Sequence, residues 1–153
     1  MTPLILHLVG DYLLQSDWMA QNKTKSTWAA VCHATTYALP FAFIASVNAW
    51  LVIWFTHLLI DRFRLVRYVV WLKNVLFQPG FIRAAWHWRD VSDQHAVYAH
   101  EVEQVNLIRR WNWSNCSATG YPSDTPPWMA VWLTIIADNT IHLAINQLSL
   151  NYL

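Results

Sequence analysis

Three times in this chain a histidine and an aspartate stand four residues apart inside an apolar stretch: His7/Asp11, His57/Asp61 and Asp138/His142. On a helix that spacing stacks the two side chains one turn apart on one face. The third pair is written in reverse order. Helices that alternate in direction across a membrane would therefore bring the three histidines to one depth and the three aspartates to the next. Carboxylate and imidazole together form a hard-to-borderline ligand set suited to zinc, manganese or iron. We therefore expect an intramembrane centre for one or two divalent ions, with His7, Asp11, His57, Asp61, Asp138 and His142 as its ligands.

Two further polar groups fall on the same faces. His33 and Tyr37 lie four apart, and Gln15 extends the stripe of His7 and Asp11 by one more turn. His33 fits a ligand or a general base, while Tyr37 and Gln15 fit orienting or donating roles beside the ligands. Lys23 and Arg62 stand where a cytoplasmic mouth would open, and suit a clamp for an anionic headgroup or phosphate. For any single one of Lys23, Lys25, Arg62 and Arg64, plain cytoplasmic anchoring is the first reading and the clamp the second.

Four helical segments must position these groups. Residues 3–20 begin with Pro3, which suits a first helical turn. Residues 27–47 carry no charge, are long enough to cross a bilayer, and should kink at Pro40. Residues 50–73 are apolar up to Ile60 and then carry Arg62, Arg64, Arg67 and Lys73, so this helix leaves the membrane near Arg64. Residues 127–147 follow Pro126 and Pro127, with Trp128 and Trp132 near the interface. Between the last two, residues 77–125 mix charges with tryptophans and read as a cytoplasmic loop containing an interfacial helix near 94–109. His87, His95 and His100 in that loop show no ligand spacing. The expectation is an all-α, single-domain protein: a four-helix transmembrane bundle.

The composition agrees. Of 153 residues, 56% are hydrophobic and only 12% charged, with eleven tryptophans; soluble domains carry about 25% charged residues, and tryptophan gathers at membrane interfaces. A net charge of +1 gives no reason to expect nucleic acid. Cys32 and Cys116 are far apart, so neither a disulfide framework nor a cysteine metal motif is expected. No basic stretch precedes Pro3, and His7 and Asp11 interrupt the first apolar run, so no cleaved signal peptide is expected. Lys23, Lys25 and the basic run of 62–110 put the first and third loops in the cytoplasm, with both termini outside an inner membrane. Counted from the helix starts, Asp11, Asp61 and Asp138 all fall near the middle of a ~30 Å core at ~1.5 Å per residue. Three carboxylates there would repel one another, and a divalent cation would relieve this. The other arrangements open to such a set are a hydrogen-bonded network joining the helices, a haem between two histidines, and a proton or ion path. An aspartate one turn from each histidine disfavours haem.

The string His7-Leu-Val-Gly-Asp11-Tyr-Leu-Leu-Gln15, followed by Trp18 to Lys23, His33 with Tyr37, and His57-Leu-Leu-Ile-Asp61, resembles the small bacterial and phage membrane proteins grouped as domain of unknown function 3307. The resemblance spans residues 4–75, with the Asp138/His142 helix as a closing span, and it implies membrane residence. Tyr12 stands where phenylalanine is expected, and the 77–125 loop looks like an insertion. A looser similarity in chemistry links the set to membrane-bound metal-dependent hydrolases, which also place His and Asp on transmembrane helices. The function expected is hydrolysis of a lipid-linked or membrane-proximal phosphate or ester by metal-activated water. The alternative is a metal-stapled membrane protein that binds a partner or conducts or senses an ion. A lipid bilayer is the expected surrounding, and homo-oligomer formation is compatible with the sequence.

Overall fold

The computed structural model describes residues 2–78 and 99–153, without the side chains of 99–104. Among the described residues every regular element is helical. They fall into two compact units: Met1–Leu65 with Ile136–Leu153, and Val66–Ile135.

In the first unit, α1 (Thr2–Leu8) runs into a π-helical turn over Val9–Leu13, closed by the Leu14 amide donating to the Val9 carbonyl at 2.9 Å. The chain leaves helix at Leu14 and re-enters at α2 (Asp17–Asn22), where the Ser16 hydroxyl accepts from the Met19 amide. The continuous helix expected over 3–20 is thus two short helices joined through a wide turn. Ser26 caps α3 (Thr27–Ala38) in the same way. Pro40, which has no N–H and whose ring crowds the preceding turn, then tightens the chain into a 3₁₀ turn over Leu39–Phe43. The Trp50 indole donates to the Ala38 carbonyl at 2.8 Å, satisfying a group at that break.

Ser46 starts α4 (Val47–Phe63). The expected third helix, 50–73, ends ten residues early, because Arg64 adopts a left-handed conformation (φ 51) and its amide returns to the Asp61 and Ile60 carbonyls. Small residues line the contact of α3 with α4: Ala29, Ala30, Ala34, Ala38 and Ala49 are all buried, letting the backbones approach closely. Below the polar site, Tyr37, Phe41 and Ile53 form an apolar core, against which Leu6, Ala45, Trp50 and Leu150 pack.

Ser46 does two jobs: its oxygen accepts from the Ala49 amide at 3.1 Å, and its hydroxyl donates to the Leu153 carbonyl at 2.9 Å. Ser46→Ala should cost about 0.5–2 kcal/mol, read as a lower thermal midpoint in detergent. An unchanged midpoint would mean that the cap contributes nothing.

The second unit holds α5 (Val66–Phe77), α6 (Ala99–Arg110), α7 (Trp113–Cys116) and the first turns of α8 (Pro127–Tyr152). Arg67 donates to the Ser117 carbonyl at 3.0 Å and lies over the rings of Tyr68 and Trp113. The Trp71 indole donates to the Trp111 carbonyl. Gly120 has φ 85, and a Cβ there would overlap the Arg67 carbonyl, so only glycine fits. Cys32 and Cys116 are free thiols; burial pushes that of Cys116 up, which keeps it protonated and unreactive. Helix α6 occupies most of the interval 94–109, and the rest of that interval, together with Trp86, Trp88, His87 and His95, lies outside the described residues.

Helix α8 is 26 residues long and apolar enough to cross a membrane, and it is the one described helix that is. It is five residues longer than the expected 127–147 and carries Asp138 and His142 near its middle.

Candidate metal centre

Four side chains converge inside the first unit. His33 comes from α3, His57 and Asp61 from α4, and Asp11 from the π turn. All four are buried, and each can offer a ligand atom within 4.8 Å of the others. His33 Nε2 lies 3.0 Å from His57 Nε2, 3.2 Å from Asp11 Oδ1 and 3.1 Å from Asp61 Oδ2. His57 Nε2 lies 3.6 Å from Asp11 Oδ1 and 3.2 Å from Asp61 Oδ2. Metal–ligand bonds of ~2.0–2.1 Å imply edges of about 3.3–3.4 Å for a tetrahedron and about 3.0 Å for an octahedron. The observed edges fall around those values.

Asp11 Oδ1 and Asp61 Oδ2 are buried and receive no well-directed hydrogen bond, although ring nitrogens and, for Asp61, the Lys23 ammonium sit at ion-pair distance. The far nitrogens of His33 and His57 are also unpartnered. The His57 ring is instead oriented by stacking on Tyr37, with centroids 3.6 Å apart and planes 12° apart.

A second group adjoins the first. His142 Nε2 lies 3.6 Å from Asp61 Oδ1 and 3.7 Å from Asp138 Oδ2. Asp61 therefore presents one oxygen to each group. Asp138 is the most open member, with its side chain 26% exposed.

His7 does not join either group. Its Nδ1 sits 2.8 Å from the Tyr37 hydroxyl and its Nε2 3.1 Å from Asn139 Oδ1, so both ring nitrogens are engaged, with Asp11 Oδ2 3.5 Å from Nδ1. The four-residue contact with Asp11 holds, but the His7 ring nitrogens are taken up by Tyr37 and Asn139 while Asp11 Oδ1 faces His33. Tyr37 also receives a bond from the Asn146 amide at 2.6 Å. Asn139 and Asn146, which hold His7 and Tyr37, are not among the residues expected at the site. Asn146 repeats the four-residue step beyond Asp138 and His142, and that continuation was the available signal.

Other expected site residues take different places. Lys23 reaches into the centre: its ammonium is 2.9 Å from Asp61 Oδ2 and 3.2 Å from His33 Nε2. Burial alone would lower its pKa, but the charges of Asp61 and Asp11 prevail and raise it, so the ammonium stays charged. Arg62 donates to the Thr24 carbonyl at 2.7 Å and to the Thr27 hydroxyl at 3.2 Å, bracing the α2–α3 connection instead of facing an open mouth. Gln15 lies past the end of the π turn, where its Oε1 is buried without a partner.

The fold and this cluster define a protein that is helical throughout its described regular elements, with a buried aspartate–histidine set fit to hold a metal ion. The chain belongs to the family described as protein of unknown function (DUF3307), which it matches over residues 1–105. No curated protein and no solved structure matches it.

Proposed function

We propose that this protein is a multi-pass inner-membrane, metal-dependent hydrolase that uses metal-activated water on a lipid-linked or membrane-proximal phosphate or ester. The observation that carries the reading is the set of separations among His33, His57, Asp11 and Asp61, which has the dimensions of a coordination shell. Membrane residence is supported by an inverted distribution of polarity in the first unit. His7, Asp11, His33, His57, Asp61, His142 and Asn146 are buried, while Leu4, Ile5, Phe43, Leu51, Phe55 and Ile136 face outward. In lipid, ionisable groups turn to the bundle interior and apolar ones to the surroundings. The 17 residues of α4 extend about 25 Å at ~1.5 Å per residue, close to a bilayer core. The basic residues of the first and third loops favour cytoplasmic placement of both, with the termini outside.

A bound divalent ion would neutralise the carboxylates and polarise a phosphoryl or carbonyl oxygen. Asp11, His33, His57 and Asp61 would hold it, with Lys23 beside it to meet an anionic substrate. One feature favours the second reading, a metal staple without catalysis: four protein ligands close a tetrahedral shell, as structural sites do.

Metal analysis of the detergent-purified protein tests the centre, followed by phosphatase and esterase screens. Stoichiometric zinc, manganese or iron is expected, with hydrolysis lost on chelation. Chelation should also lower the thermal midpoint, because an ion held at 1,000 times its Kd contributes about 4 kcal/mol. Absence of metal after mild purification, with a midpoint indifferent to chelator, would overturn the metal reading. Metal present without hydrolysis of any phosphate or ester would favour the staple.

A further inference from the structure

We infer that the centre is dinuclear: Asp61 bridges two divalent cations, the second of which is held by Asp61 Oδ1, Asp138 and His142 and keeps an open coordination position. The inference rests on the metal reading above and extends it to a distinct set of atoms.

Asp61 uses its two oxygens in different directions. Oδ2 faces His33 and His57 at 3.1 and 3.2 Å, and Oδ1 faces His142 at 3.6 Å. A carboxylate shared in this way is how two-metal sites hold ions about 3.5–4 Å apart. The second group has its own signature of a missing ligand. His142 is 1% exposed, and its Nε2 has no hydrogen-bond partner. That nitrogen points between Asp61 Oδ1 and Asp138 Oδ2, which can come within 4.8 Å of it and of each other. An imidazole nitrogen buried without a partner is costly unless something binds it.

The two positions differ in what they leave open. The first has four protein ligands. The second has three, and its Asp138 is the partly exposed one. A four-coordinate ion there would complete its shell with water, the arrangement that distinguishes catalytic from structural sites. The second ion is thus the water-activating one, and the first anchors the bridge.

The test is a manganese(II) titration of the full-length, chelator-stripped protein in detergent, read by electron paramagnetic resonance. The wild type should bind two equivalents and give an exchange-coupled signal. Asp138→Asn and His142→Gln should each bind one equivalent with the coupling gone, while circular dichroism confirms the helices. One equivalent in the wild type, unchanged in both variants, would overturn the second position and leave the first. Two equivalents without coupling would overturn the Asp61 bridge, and this arm needs no variant to fold. No binding at all would overturn the metal reading itself.

Discussion

Asp61→Asn is expected to abolish metal binding and to cost about 3–5 kcal/mol of stability, the usual penalty for removing one member of a buried charged set. Asp61 is the residue shared by both groups. Its carboxylate lies within 3.6 Å of Lys23, His33, His57 and His142. Asparagine keeps the volume and loses the charge, so the Lys23 ammonium would be left with Asp11 and the weaker influence of Asp138 to balance it. The change would show as loss of metal from the purified protein together with a large fall in thermal midpoint. Asp138→Asn, at the rim, should spare most of the stability and so separates the two roles. If Asp61→Asn kept its metal and its midpoint, the convergence of groups on Asp61 would have no energetic meaning.

Gly10→Ala should be nearly as damaging although glycine carries no chemistry. A Cβ at position 10 would stand 2.7 Å from Tyr37 Cδ2, 3.0 Å from the Tyr37 carbonyl oxygen and 3.1 Å from its Cα. Two of those atoms are backbone, so a rotamer change cannot relieve the contact and the π turn must move away from α3. Overpacking of this kind costs about 1–3 kcal/mol. The displacement would pull Asp11 from His33 and disturb Tyr37, which His7 and Asn146 contact and on which His57 stacks. Metal affinity should fall ~10-fold or more, the range seen when groups supporting ligands are lost. A titration and a melting curve on the same sample check both parts. Wild-type affinity would show that the turn can shift without carrying Asp11 with it.

Much of the cluster was legible because its logic is local. His57 and Asp61 share one face of α4, Asp138 and His142 one face of α8, and the reversal of order between them encodes opposite helix directions. Tyr37 joining the rings of His57, His7 and His142, with His33 beside Asp11 and Asp61, follows from the same four-residue step. What could not be read depends on departures from regular helix. Nothing in Val9–Leu13 announces a π turn, so His7 was grouped with the ligands. Lys23 was placed at a mouth because spacing along one helix cannot show a loop residue folding back onto Asp61. The left-handed Arg64 was invisible for a similar reason, since arginine has no intrinsic preference for that conformation. Composition raises the expectation of a membrane, and among the described helices α8 is the one long and apolar enough to cross one.

The π turn over Val9–Leu13 has a consequence for how this chain can vary. It holds one residue more than a regular α-helix would use, and it carries Asp11, whose Oδ1 lies 3.2 Å from His33 Nε2. Deleting Val9 or Gly10 would let the segment relax to a standard helix, and each residue removed rotates everything beyond by about 100°. His7 and Asp11 could then both be present in the sequence while the carboxylate faced away from the centre. The number of residues in this turn is therefore as much a part of the site as the identity of Gly10 and Asp11.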